Sequence, residues 1–235
     1  MAAPESVAAL SDWARLRLFG PDCRKFLHGL VTADILGLPE RGGCPSLLLT
    51  PKGRLQADFY VCALKKDELL LLCPPSSAGE LRGALAKMVM LSESKLEDGG
   101  AGAWLVFSSQ EKESFSYARW GCALRLDEPP ASLPRLSAEE LEALRVERGI
   151  PAYGVDVGAE TIPLEAPVLE DAISYTKGCY MGQETISRVH HMGHVNKLLT
   201  TIRSSQDPRG QEGVTSAAYS PRLECWLALA TRRAP

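Results

Sequence analysis

Apolar side chains recur along this chain with two different periods, and the switches between them mark its elements. Residues 14–19, ARLRLF, alternate apolar with basic side chains, the period-two pattern of a strand with one covered face. Gly20-Pro21-Asp22 breaks that run. The spacing of Phe26, Leu27, Leu30 and Val31 then predicts a helix that Asp22 can cap. Leu47 to Thr50 and Leu55 to Leu64 read as two strands of a hairpin turned by Pro51-Lys52-Gly53, and Glu68 to Cys73 reads as a third strand. Ala78 to Leu91 predicts a helix with Leu81, Leu85, Met88 and Val89 inward. Trp104 to Phe107 and Cys122 to Leu126 are short strands.

The proline-rich stretch from Asp127 to Pro134 reads as a connector and an internal boundary. Ser137 and Glu140 have capping-box spacing at the head of a helix that Gly149 and Pro151 end. Lys197 to Ser204 and Glu224 to Thr231 are strands separated by a polar loop, Ser205 to Gly213. Hairpins mixed with helices predict an α+β fold rather than a parallel βαβ array. The expected organisation is an α+β unit over 1–130, a second part of the α+β core over 131–195, and a small all-β unit over 196–235, too short for a full barrel.

Composition narrows the classes. With 235 residues and 45% hydrophobic side chains the chain can bury a sizeable core. A net charge of −3 with well-mixed signs argues against a broad nucleic-acid surface, and no direct nucleic-acid contact is expected. No apolar run approaches the ~20 residues of a bilayer span, so no membrane partner is expected. The N-terminal stretch carries Glu5 and Asp12 and reads as neither a secretory signal nor a transit peptide. Seven cysteines without a CxxC pair fit reduced thiols in the cytoplasm; the mitochondrial matrix, with a targeting peptide absent, is the alternative.

Candidate chemistry concentrates in Lys177-Gly178-Cys179-Tyr180-Met181-Gly182-Gln183-Glu184. A cysteine sits between two glycines, ahead of what reads as the first turn of a helix. The partial positive charge of that helix end and the cation of Lys177 both favour the thiolate, the reactive and metal-binding form. Gly178 is expected to permit a tight turn and Gly182 a close approach. Downstream, Arg188 precedes His190-His191-x-x-His194. His190 and His194 could share a helix face and hold a metal, although Gly193 works against a helix there, and a polar surface turn is the plainer reading. Glu147, Tyr153, Asp156 and Glu165 form a third polar set able to bond the NH groups of a pterin, with Asp156 read as a turn cap. Thr32 and Asp34 are a helix-end cap or a cleft wall.

Three stretches, FGPDCRKFLHGLVTADI, LLLTPKGRLQADFYV and RVERGIPAYGVD…PLEAPVLEDAISYTKGCYMGQETISR, together resemble the YgfZ-type folate-binding family, which is related to the aminomethyltransferase (T-protein) of the glycine cleavage system. KGCYxGQE is that family's signature, and the similarity runs from residue 14 to about residue 200. The resemblance implies a ring of α+β domains with a C-terminal β-barrel around a tetrahydrofolate cleft. The tail GQEGVTSAAYSPRLECWLALATRR resembles only part of that barrel, so an incomplete barrel is expected.

The implied role is assembly or repair of 4Fe–4S proteins, including cluster enzymes of tRNA modification. Cys179 would be the essential thiol. Lys177, Gly178, Tyr180, Gly182, Gln183, Glu184 and Arg188 would form its motif, and Glu165 would stand where the T-protein pattern PxE has its pterin-contacting glutamate. Tetrahydrofolate is the implied cofactor, with Thr32, Asp34 and Tyr153 also placed at its cleft. One thiol cannot hold a 4Fe–4S cluster, which takes about four ligands, so a cluster would be held transiently and shared with a partner. The implied partners are A-type iron–sulfur carriers and recipient 4Fe–4S proteins. The alternatives are a tetrahydrofolate-dependent one-carbon transferase, or a metal-binding scaffold using the histidines.

Overall fold

The computed structural model describes residues 5–108 and 114–234. Its first sheet has the order β3-β4-β5-β2-β6 and is antiparallel throughout: β2 (Ala14–Phe19), β3 (Gly43–Leu49), β4 (Leu55–Lys65), β5 (Glu68–Cys73) and β6 (Lys95–Ala101). Alternation in β2 works as the pattern implies, with Leu16 and Leu18 buried and Arg15 and Arg17 on the alternate row. The face carrying Leu16, Leu18, Phe59, Val61 and Leu71 packs against α1 (Cys23–Leu30) and α2 (Pro75–Val89), through Leu27, Leu81 and Leu85. Its other face carries Tyr60, Cys62, Leu70 and Leu72, which pack on a second sheet. That sheet has the order β1-β7-β9-β8, from Ser6–Ala9, Trp104–Phe107, Cys122–Arg125 and Phe115–Tyr117. Coverage on both faces explains why β4 is apolar almost without alternation.

A third core lies beyond the β3–β4 turn. Leu47, Leu49 and Leu55 meet Ala143 and Val146 of α3 (Ala138–Glu147), Tyr180, Ile186 of α4 (Gln183–Met192), and Leu199, Leu227 and Leu229 of the C-terminal sheet. That sheet is antiparallel, with β10 (Lys197–Ser204) and β11 (Val214–Ser220) flanking β12 (Cys225–Arg233). Among the described residues it does not close on itself. No helix there is long and apolar enough to cross a membrane.

Two local expectations are settled by side-chain bonding. Both halves of the Ser137–Glu140 capping box form. Asp22, in contrast, does not cap α1. Its carboxylate accepts from Ser94 Oγ and the Glu93 amide, tying the loop before β6 to the head of α1. A shared helix face for His190 and His194 does not form either. Gly193 ends α4 in extended backbone, so His194 lies beyond the helix.

Candidate functional site

The KGCYMGQE loop is pinned on both sides of its cysteine. Lys177 donates through Nζ to the carbonyls of His28, Val31 and Ala33, at 2.5, 2.7 and 2.9 Å. These oxygens cluster at the C-terminal end of α1, where carbonyls lack helical partners and the helix dipole is negative. The ammonium therefore caps a helix 144 to 149 residues away rather than serving the neighbouring thiol. Burial lowers its pKa to about 8, with Asp34 and Cys44 pulling the other way. On the other side Tyr180 is buried in the third core, its hydroxyl pushed up to about 12 by burial, and its ring lies 5.2 Å from Lys177 Nζ. Cys179 stands between these anchors and is exposed, unlike the other six cysteines. Cys23, Cys62 and Cys73 are buried, and burial pushes the thiols of Cys44, Cys73 and Cys122 up to about 12.

The two glycines of the motif differ. Gly182 has φ +82° and is the N-cap of α4. A Cβ there would lie 2.6 Å from the Thr50 carbonyl, and Gly53 (φ +73°) faces Thr185 just as closely. The second and third resemblance stretches thus meet where the hairpin turn seats the head of α4. Gly178 has nothing within 4 Å of such a carbon. Gly182→Ala should accordingly cost about 1–3 kcal/mol in urea denaturation, from strain and overlap, whereas Gly178→Ala should stay within about 0.5 kcal/mol.

Around the thiol, Glu184 lies exposed in the first turn of α4, where it complements the helix dipole, and Gln183 is half-buried. Arg188, His191 and His194 are exposed. His190 stacks on Tyr175 with ring centroids 3.9 Å apart, and the Tyr175 hydroxyl donates to Glu170. Among the described residues no three His, Cys, Asp or Glu side chains are placed to hold a metal by themselves.

A cavity of about 690 Å³ lies elsewhere, and no residue of the octapeptide lines it. Trp13, Trp120, Tyr117 and Tyr153 provide aromatic wall, while Asp58, Arg119 and Arg145 provide charge. Arg119 is fully buried. It donates to Asp58 Oδ2 at 2.6 Å and forks onto both oxygens of Asp171. Burial opposes its charge, but the two carboxylates more than offset that and keep it protonated. Asp58 Oδ1 is buried with no hydrogen-bond partner among the described residues. Burial raises the Asp58 pKa against the pull of Arg119. Arg145 ties the GIPAYGVD loop to the C-terminal sheet, bonding Asp156, the Ile150 carbonyl and Ser216.

Of the residues expected at a pterin cleft, only Tyr153 lines this cavity. Thr32 is buried and donates to the Ala172 carbonyl at 2.6 Å. Asp34 accepts from the Gly37 amide, and Glu165 from the Ile162 amide. Glu147 pairs with Arg222, and Asp156 caps the Ala152 amide as a turn residue does. Asp58, Arg119 and Arg145 were not singled out in the sequence. Asp58 had a legible signal, a lone carboxylate inside the apolar run LQADFYVCAL; the other two had none.

A continuous set of bonds joins the cavity to the cysteine loop. Asp58 binds Arg119, and Arg119 binds Asp171. The next residue, Ala172, accepts from Thr32, whose neighbours Val31 and Ala33 accept from Lys177.

No family model matches the chain. Among curated proteins, the human protein named "Iron-sulfur cluster assembly factor IBA57, mitochondrial" is 30% identical, over 86% of this chain and 67% of its own length. The "tRNA-modifying protein YgfZ" of Pectobacterium atrosepticum is 26% identical, over 88% of this chain and 73% of its own. Among solved structures, the glycine cleavage system aminomethyltransferase T of Bartonella henselae superposes with a TM-score of 0.85 at 15% identity. It is matched over 99% of this chain and 79% of that one, a likeness of fold.

Proposed function

Because the chain belongs to the family of the IBA57 and YgfZ proteins, we propose that it serves the assembly or repair of 4Fe–4S proteins, cluster enzymes of tRNA modification among them. In this reading Cys179 is the working thiol. The observation that carries it is the exposure of this one cysteine between two anchors, the half-buried, hydrogen-bonded Lys177 and the buried Tyr180. A side chain held from both flanks meets a partner with little further loss of conformational freedom. The cluster is cargo. One thiol supplies one of about four ligands, so an iron–sulfur carrier of the A-type class, or the recipient protein, supplies the rest. His190 and His194 would be auxiliary ligands at most. The working compartment is the cytoplasm or the mitochondrial matrix.

The cavity suits a reduced folate. Its volume is in the ~300–1,000 Å³ range of small-molecule sites, and its aromatic walls match a flat ring. Asp58 lines it, and its Oδ1, buried without a partner among the described residues, would accept from ring NH groups. Tyr153 and Asp58 would hold the pterin, and the aromatic walls would keep water from it. Bound there, the folate would supply a reduced ring able to carry a one-carbon unit. Thr32, Asp34 and Glu165 act instead through the backbone groups they bond. Titration with 5-formyltetrahydrofolate, followed by tryptophan fluorescence, should show saturable quenching through Trp13 and Trp120. Tyr153→Ala should weaken it at least about tenfold, the scale of one buried aromatic contact. Unchanged affinity in that variant would remove folate from this cavity.

The fold likeness and the unpartnered Oδ1 of Asp58, whose Oδ2 is held by Arg119, favour a second reading, a tetrahydrofolate-dependent one-carbon transferase. Turnover of an aminomethyl donor by the purified chain, abolished in Asp58→Asn and retained in Cys179→Ser, would reverse the order of the two readings.

A further inference from the structure

A second concave site shares Arg119 with the cavity in its lining. It has a volume of about 360 Å³ and is lined by Arg148, Arg222, Glu147, Gly121, Leu144 and the Ala118–Arg119 turn. Arg148 follows the last residue of α3, and its guanidinium lies over the Phe107 ring, 5.5 Å from the centroid. Gly121 has φ +56°, and a Cβ there would stand 2.8 Å from Arg148 Nη1. Only a glycine leaves room for the guanidinium in that position. Arg222, on the turn between β11 and β12, faces the same pocket and is paired with Glu147.

The charges do not balance. Arg119 is consumed by Asp58 and Asp171, and Glu147 is the single carboxylate for two further guanidiniums. No hydrogen bond or ion pair is formed by the Arg148 guanidinium among the described residues. Burial and the like charge of Arg222 lower its pKa against the pull of Cys122 and Glu147. Partly burying a cation without an acid is costly unless something else supplies the negative charge. An adjoining apolar pocket of about 190 Å³, walled by Leu136, Ala143 and Pro221, shares Leu144, Glu147 and Arg222 with this one.

From this geometry we infer that Arg148 and Arg222 form an anion-binding site for a carboxylate or phosphate group, separate from the folate cavity and from Cys179. Two guanidiniums converging from α3 and the β11–β12 turn can each offer paired N–H donors to one oxyanion. Leu144 and Pro221 would lie against the carbon skeleton that carries it.

Isothermal titration of the full chain with inorganic phosphate and with triglutamate tests this. Wild type should bind at least one of the two saturably, and the preferred probe identifies phosphate or a carboxylate chain as the source of the anion. Arg148→Gln and Arg222→Gln should each weaken that binding at least about tenfold, the scale of one charge-assisted hydrogen bond. Both should keep the wild-type far-UV spectrum and the same saturation by 5-formyltetrahydrofolate. No saturable binding of either probe up to ~10 mM, where affinity falls to the weak limit of specific recognition, would overturn the inference. So would equal affinity in wild type and both folded variants.

Discussion

Arg119→Met should remove about 3–5 kcal/mol of stability in urea denaturation, a large share of the ~5–15 kcal/mol available to a domain. The guanidinium is fully buried and answers two carboxylates on different elements, Asp58 on β4 and Asp171 in the 310 turn Pro167–Ala172. Methionine fills the volume but leaves both carboxylates without a cation. Asp58 is then the costlier of the two, because burial already raises its pKa while Arg119 is present. The pH dependence follows in sign. A carboxyl whose folded pKa stands above its unfolded value binds more protons when native, so stability falls as pH rises between the two values. Loss of Arg119 lifts the folded value further. The deficit of Arg119→Met relative to wild type should therefore be greatest near neutrality and shrink as pH falls towards the ordinary carboxyl range. Neutralising one partner as well, in Arg119→Met/Asp58→Asn, should recover part of the loss. A deficit below about 1 kcal/mol, or one that grows on acidification, would mean that the triad does not hold the cavity wall to the 310 turn.

Elements were legible in this sequence wherever one side of an element decides its burial. Strand β2 has one apolar row and one basic row, and α3 has both residues of its capping box in place. Strand β6 was missed because KLEDGGA has no apolar row. It is an edge strand, and its charges and glycines suit an unpaired edge better than a core. The short strand β1 gains its structure from a pairing partner about a hundred residues along the chain, while β8 and the serine-rich β11 are held by hairpin pairing with the next strand, β9 and β12, and have little apolar alternation of their own. The same limit governs the site. KGCYMGQE marked the cysteine, and Gly182 has the close approach its type suggested. What Lys177 does depends on three carbonyls near residue 30, and what Asp58 does depends on residues 119 and 171. Proximity in sequence pointed Lys177 at the thiol; the fold points it at a helix end.

The second large effect concerns Cys179 itself. The side chain is exposed and contributes nothing to the three cores, so Cys179→Ser should leave stability within about 0.5 kcal/mol of wild type. Function should respond quite differently. A serine hydroxyl is neither a thiolate nucleophile nor a soft metal ligand at neutral pH, so a step that passes through this atom has no substitute. Conservative replacement of this exposed side chain is thus expected to abolish activity while the protein remains folded, a combination that separates a working thiol from a structural one. The direct measurement is complementation: wild type and Cys179→Ser are expressed at equal soluble levels in cells lacking their own protein of this family, and the activity of a 4Fe–4S enzyme is assayed. Restored activity is expected with wild type and none above background with Cys179→Ser; equal rescue by the two would show that the thiol of Cys179 is not the working group.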